Sequence, residues 1–262
     1  MSRADVVSSF TLIKGAMIDE TWTAMQAWEL DRDLTANLTE LSTANPFGAT
    51  ANWLRDIHKV LHRRIDPTRD RPLILLAKAN VDREAWKPLL LWHITRDEFL
   101  LREFLTTWLW DRYAEGAYRL DTGEVAAWLS ELEQRRGLSW KESTRKRVAS
   151  GLLGAGADFG LLAGTVSRRF TAYHLPEASF LYLLHAMAEV EPNARRMLNL
   201  PDWRMYRMRP EDVEAELMRL HQYRRVHYDV AGSLSQLKLP APSLDAWVTG
   251  FAGTPRTPEV TA

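Results

Sequence analysis

A chain of 262 residues suffices for one large domain or two of ordinary size, and 34 basic against 34 acidic side chains leave no net charge to draw it toward nucleic acid. Any such binding must come from local patches, and the 27 Arg against 7 Lys suit bidentate contacts to phosphate or carboxylate as well as they suit a high-GC genome. The absence of cysteine excludes disulfides, thiolate zinc sites and cysteine nucleophiles. The most apolar runs, Pro88 to Ile94 and Ala178 to Ala188, fall short of the roughly 20 residues of a membrane span, so a soluble, cytoplasmic protein is expected.

The first periodic segment runs from Ser9 to Ala27, where Ile13, Ala16, Met17, Thr21, Ala24 and Met25 form a helical stripe. Leu34, Leu38 and Leu41 repeat the pattern, Asn45-Pro46-Phe47-Gly48 breaks it, and Trp53, Leu54, Ile57, Val60 and Leu61 resume it, which predicts two helices with a tight joint. Leu73 to Ala79 predicts a short helix; Asp82 can cap the next, through Ile94; Thr95 or Asp97 can cap a third that runs to about Tyr113. Glu115-Gly116-Ala117 reads as a boundary, after which Asp121-Thr122 opens an amphipathic helix through Val125, Trp128, Leu129 and Leu132.

Next, Ser143 is positioned to cap a helix that begins Thr144-Arg145-Lys146-Arg147-Val148. Gly154, Gly156 and Gly160 follow, with Thr165 to Thr171 as a strand of a hairpin, and Leu175-Pro176-Glu177 opens another helix. A second helix-plus-hairpin unit runs from Pro210 through Leu220 to Arg224 and Val230, with Gly232-Ser233 as its turn. Pro210 suits a first helical turn, and Glu211 and Asp212 complement the positive end of the helix dipole. Val226, Tyr228 and Val230 alternate with Arg225, His227 and Asp229, so one hairpin face can be buried while the other offers cations. The tail 253–262, with Pro255 and Pro258, reads as disordered.

Three groups of residues stand out as candidates for contact with DNA. Asn52, Arg55, Lys59, His62 and Arg63 fall on one face of the second helix of the Pro46 pair, which is either the outer face of a helix-turn-helix or an ordinary solvated one. Arg145, Lys146 and Arg147 form a basic helix start with Arg168 and Arg169 on the hairpin beyond it. Arg224, Arg225 and His227 begin the C-terminal hairpin, as the cations of a phosphate-contacting wing do. His58 and His62 lack the Glu of a zinc-protease motif, and Gly154-Ala155-Gly156 fits no nucleotide loop. His93, beside Asp97 and Glu98, reads as a core histidine more readily than as half of a buried acid–base pair. No catalytic set, metal site or cofactor is nominated.

Ser9-Phe10-Thr11, Leu89-Leu90-Leu91-Trp92-His93 followed by Phe99-Leu100-Leu101-Arg102-Glu103-Phe104, and Ser143-Thr144-Arg145-Lys146-Arg147 together resemble the BrxA family over roughly Ser9 to Val248. That family comprises small, mostly helical proteins encoded in BREX bacteriophage-exclusion operons. The resemblance implies phage defence, binding to double-stranded DNA without enzymatic activity, and an N-terminal part likened to an RNA-binding antitermination fold. The expectation is therefore a mostly α protein of two helical subdomains, 1–115 and 116–252, with helix-turn-helix or winged-helix-like units and small β-hairpins. Its expected partners are double-stranded DNA and other BREX proteins, with no small-molecule substrate. A protein–protein scaffold and an RNA-binding protein are the alternatives.

Overall fold

The computed structural model describes residues 7, 14–232 and 234–253. The fold is mostly α-helical with two small antiparallel hairpins. The expected helix start at Ser9 and the disordered tail after Gly253 lie outside the described residues. Within them, α1 spans Ile18–Gln26 and not the stretch from Lys14 onward. Gly15 and Met17 both adopt left-handed backbone, φ 86° and 46°, which breaks the helical path. The carbonyl of Ala16 thereby accepts a 2.7 Å hydrogen bond from the Arg64 guanidinium, which also donates to Thr21 Oγ1 at 2.7 Å. Burial pushes the Arg64 pKa down to about 10.

Helices α2 (Leu34–Ala44) and α3 (Ala51–Arg64) are the predicted pair, capped by the side chains of Asp33 and Thr50. Asn45 closes their joint: its Nδ2 donates to the Ala49 carbonyl, and its Oδ1 accepts from the Ala49 N–H. Next come α4 (Arg71–Lys78) and α5 (Arg83–Thr95), the latter capped by Asp82 as expected. The following helix opens at Glu98 with no side-chain cap. Neither nominated capper is available, because Thr95 Oγ1 donates to the Trp92 carbonyl and Asp97 pairs with Arg69 at 2.8 Å. That helix runs as α6 (Phe99–Glu103), a π-helical segment (Phe104–Trp108) and α7 (Leu109–Ala114). The π segment stacks Phe104 on Trp108, with Trp128 of the next helix tilted against both.

Helix α8 (Thr122–Arg136) starts in a reciprocal capping box between Asp121 and Glu124 and ends at Gly137, φ 64°. It packs on α9 (Glu142–Asp158), which begins at Glu142, so Ser143 lies inside the first turn and does not cap it. Gly154 and Gly156 also lie inside α9 and not in a hairpin connection. Gly156 sits close to the first hairpin, since a β-carbon there would come within 2.9 Å of Leu162 Cδ1 and that side chain would have to shift. The first hairpin is correspondingly short: β1 (Leu162–Ala163) against β2 (Arg169–Phe170), extended by a bridge from Arg168 to Leu120.

Helix α10 (Glu177–Val190) is apolar all round, with residues 179–187 buried, and packs against α5. After α11 (Ala194–Leu198) and a 3₁₀ turn (Pro201–Tyr206), α12 (Pro210–Gln222) opens with Pro210, as predicted, and leads to β3 (His227–Ala231) and β4 (Leu234–Lys238). Val226 and Tyr228 are buried beneath the hairpin, but Val230, next in the alternation, is exposed. Finally α13 (Leu244–Ala252) packs on both α4 and α10. Buried residues from before and after position 116 join in one hydrophobic core. Among the described residues, no helix is long and apolar enough to cross a membrane.

Candidate nucleic-acid interface

The thirteen nominated residues divide by what already holds them. On α3, Asn52, Arg55, Lys59 and His62 are exposed, opposite the buried Ile57, Val60 and Leu61. Arg55 is held by Asn52 on its own helix, and His62 stacks at 6.5 Å on His58, whose Nδ1 meets Ser42 of α2. Arg63 is turned inward, its Nε 3.1 Å from a carboxylate oxygen of the buried Glu98. It therefore braces α3 against the start of α6.

The basic start of α9 is similarly split. Arg145 makes a bidentate pair with Glu133 of α8, Nε–Oε1 2.7 Å and Nη2–Oε2 2.9 Å, and Glu133 is buried. The Arg145 hydrogen bonds hold the Glu133 carboxyl below its usual range. Lys146 pairs along the helix with Glu142 at 2.7 Å, both exposed, while Arg147 is exposed and makes no ion pair among the described residues. On the hairpin, Arg168 bends back onto the Gly164 carbonyl and Arg169 stays exposed. The inward pull of Glu133 on Arg145 comes from another helix and leaves no trace in local spacing.

The C-terminal unit is divided in the same way, with His227 Nε2 2.6 Å from Asp229 Oδ2. His221, Gln222, Arg224, Arg225, His227 and Lys238 border a groove of about 710 Å3 that no Asp or Glu lines. Arg224 is exposed in a left-handed conformation, φ 56°, where the chain leaves α12 for the hairpin. Arg225 is shared with Glu177 at 3.1 Å, which also accepts from Arg219. Burial pushes the Glu177 carboxyl up, and those two guanidinium hydrogen bonds outweigh it and bring it below its usual range. Lys238 was not nominated; antiparallel register sets it opposite His227, a pairing that only the turn length could have disclosed.

Metal chemistry fits this groove poorly. His221, His227 and Asp229 bring three possible ligand atoms within 4.8 Å of one another, the one such group among the described residues. Yet His221 Nδ1 accepts the Tyr228 N–H at 3.0 Å, which puts the proton of the neutral ring on Nε2 and leaves no lone pair for an ion. Elsewhere, His93 is a satisfied core histidine, and its carboxylate is Asp70, not Asp97 or Glu98. Nδ1 donates to Asp70 Oδ1 at 2.7 Å, and Nε2 accepts from the Tyr182 hydroxyl at 2.7 Å. Burial pushes the His93 pKa down and that of Tyr182 well up, so a neutral ring satisfies both contacts.

The structure thus defines a mostly helical protein that carries helix-plus-hairpin units with exposed cations. The sequence profile of the BrxA family matches residues 9–186, about two thirds of the chain, and the protein belongs to that family of BREX-associated proteins. The match ends within α10, short of the Val248 expected from resemblance, so α12 and its hairpin must be read from their own geometry. No curated protein and no solved structure matches the chain.

Proposed function

We propose that this protein is a non-enzymatic accessory component of a BREX phage-defence system that binds double-stranded DNA, mainly through the phosphate backbone. The observation that carries the reading is the groove beside the C-terminal hairpin, bordered by Arg224, Arg225, His227 and Lys238 without a carboxylate in its lining. Lys59, Arg147 and Arg169 offer further exposed cations on α3, α9 and the first hairpin. Neutral overall charge restricts attraction to such patches, which favours modest, salt-sensitive binding over tight non-specific capture. In this reading DNA is contacted where guanidinium groups remain open, while those already paired hold the fold.

The test is a gel shift of the purified protein against duplex DNA, single-stranded DNA and RNA of one sequence. Duplex should bind best, and a random duplex nearly as well as any other. Preference for RNA would support the RNA-binding alternative, and no binding to any of the three would support a scaffold that docks acidic partner proteins.

A further inference from the structure

A second cavity, of about 760 Å3, lies between the end of α5, α10, the 3₁₀ turn and the start of α13, and shares no lining residue with the hairpin groove. One wall is apolar, formed by Pro72, Met187, Leu200, Pro201 and Leu244, and Val190 stands at its rim, 72% exposed. The other wall is charged, and nearly every charge on it has a partner. Arg69 is held by Asp70 and Asp97. Arg102 is bidentate to Asp202 at 2.7 Å and 2.7 Å, and Asp202 also accepts from Trp92 Nε1. Asp245 pairs with Arg71, and Glu189 accepts the Leu244 N–H at the start of α13.

Arg96 is the exception. It occupies the C-cap of α5 with its guanidinium 4.5 Å above the centre of the Trp92 ring, and among the described residues it makes no hydrogen bond or ion pair. Burial and the neighbouring Arg69 both disfavour its charge, and Asp70, Tyr182 and Asp97 offset this only through space. A half-buried guanidinium, fixed by an aromatic face and facing an open cavity with its donors unused, is built to receive an anion. The volume falls in the range of small-molecule sites, and an apolar wall opposite one convergent charged group is their usual composition.

We propose that this cavity binds a small organic anion, with its anionic head on the Arg96 guanidinium and its apolar body against Leu200, Pro201 and Leu244. The site is independent of the DNA reading, since none of the residues nominated for DNA lines it. The probe is 1-anilinonaphthalene-8-sulfonate, an aromatic body with a sulfonate head, followed by fluorescence titration of the full chain. Saturable one-to-one binding is expected, with Kd raised at least tenfold by Arg96→Gln and also by Val190→Glu, which sets a negative charge at an exposed rim position where folding is not at stake. The neutral N-phenyl-1-naphthylamine, which lacks the sulfonate, should bind at least tenfold more weakly, and Arg119→Gln, at an exposed position outside the cavity, should leave dye binding unchanged. No saturable binding, binding indifferent to both cavity substitutions, or equal binding of the neutral analogue would each overturn the proposal.

Discussion

Arg145 and Arg147 stand two residues apart on α9 and are predicted to fail in opposite ways. Reversal of Arg145 to Glu puts a second carboxylate against the buried Glu133, so the melting temperature should drop while the remaining cations still bind DNA. Reversal of the exposed Arg147 should leave the melting temperature unchanged and weaken duplex binding several-fold. Thermal melts and gel shifts of the two single variants check this; equal behaviour of the pair would remove the distinction between holding cations and contacting ones. His93 supplies a pH dependence. Its folded pKa lies below the ordinary 6.5, so above that pH both folded and unfolded rings are neutral and stability is complete. Below it the unfolded chain takes up a proton that the buried ring refuses, so stability is lost as pH falls, at up to about 1.4 kcal/mol per pH unit. His185, whose pKa burial also lowers, adds in the same direction. Melting temperatures measured from pH 7.5 down to pH 5.5 should decline, and a flat profile would mean that both rings take up protons as readily in the folded state as in the unfolded one.

At the scale of elements, the two hairpins should contribute in proportion to their open cations. If about four to six phosphates are met, the logarithm of affinity should fall against the logarithm of salt with a slope of roughly −4 to −5, and loss of Arg224 or Arg169 should each reduce it by about one. Arg225→Ala should change the slope less than Arg224→Ala, because Glu177 already holds that guanidinium. A slope near zero for the intact protein would exclude backbone binding. Elements were legible where local signals decide them: Pro210 and the acids after it began α12, Asp121-Thr122 began α8, and the alternation from Val226 gave the C-terminal hairpin. They were illegible where a distant group wins. Ser143 has the chemistry of a cap, but helical backbone is already in place at Glu142; Gly154 and Gly156 look like turn residues, but both lie inside α9, and at Gly156 the Leu162 side chain approaches closely. The candidate site divided likewise. Exposure followed from the helical wheel at Lys59 and Arg147, whereas the capture of Arg63 by Glu98 and Arg145 by Glu133 depended on which helices meet.

For the whole molecule, the core does not divide at Gly116. Helix α10 lies against α5, and α13 covers α4, so Leu73, Ile74 and Leu76 are buried in part by segments well over a hundred residues downstream. A fragment ending at Glu115 would leave that apolar surface open and should give no cooperative thermal transition, whereas a chain ending at Gly253 should melt as the full protein does; differential scanning calorimetry distinguishes them.

The ion pair between Arg71 and Asp245 joins residues 174 apart, at the contact where α13 closes over α4. On a ribosome that adds about 5–20 residues per second, many seconds separate the emergence of these two partners, and α4 and α5 wait through them with their apolar faces open. Synthesis therefore passes through a long aggregation-prone interval that a chain of sequentially closing domains avoids. Yield in cells should depend on temperature and on chaperone supply more steeply than the finished protein's resistance to heat would suggest.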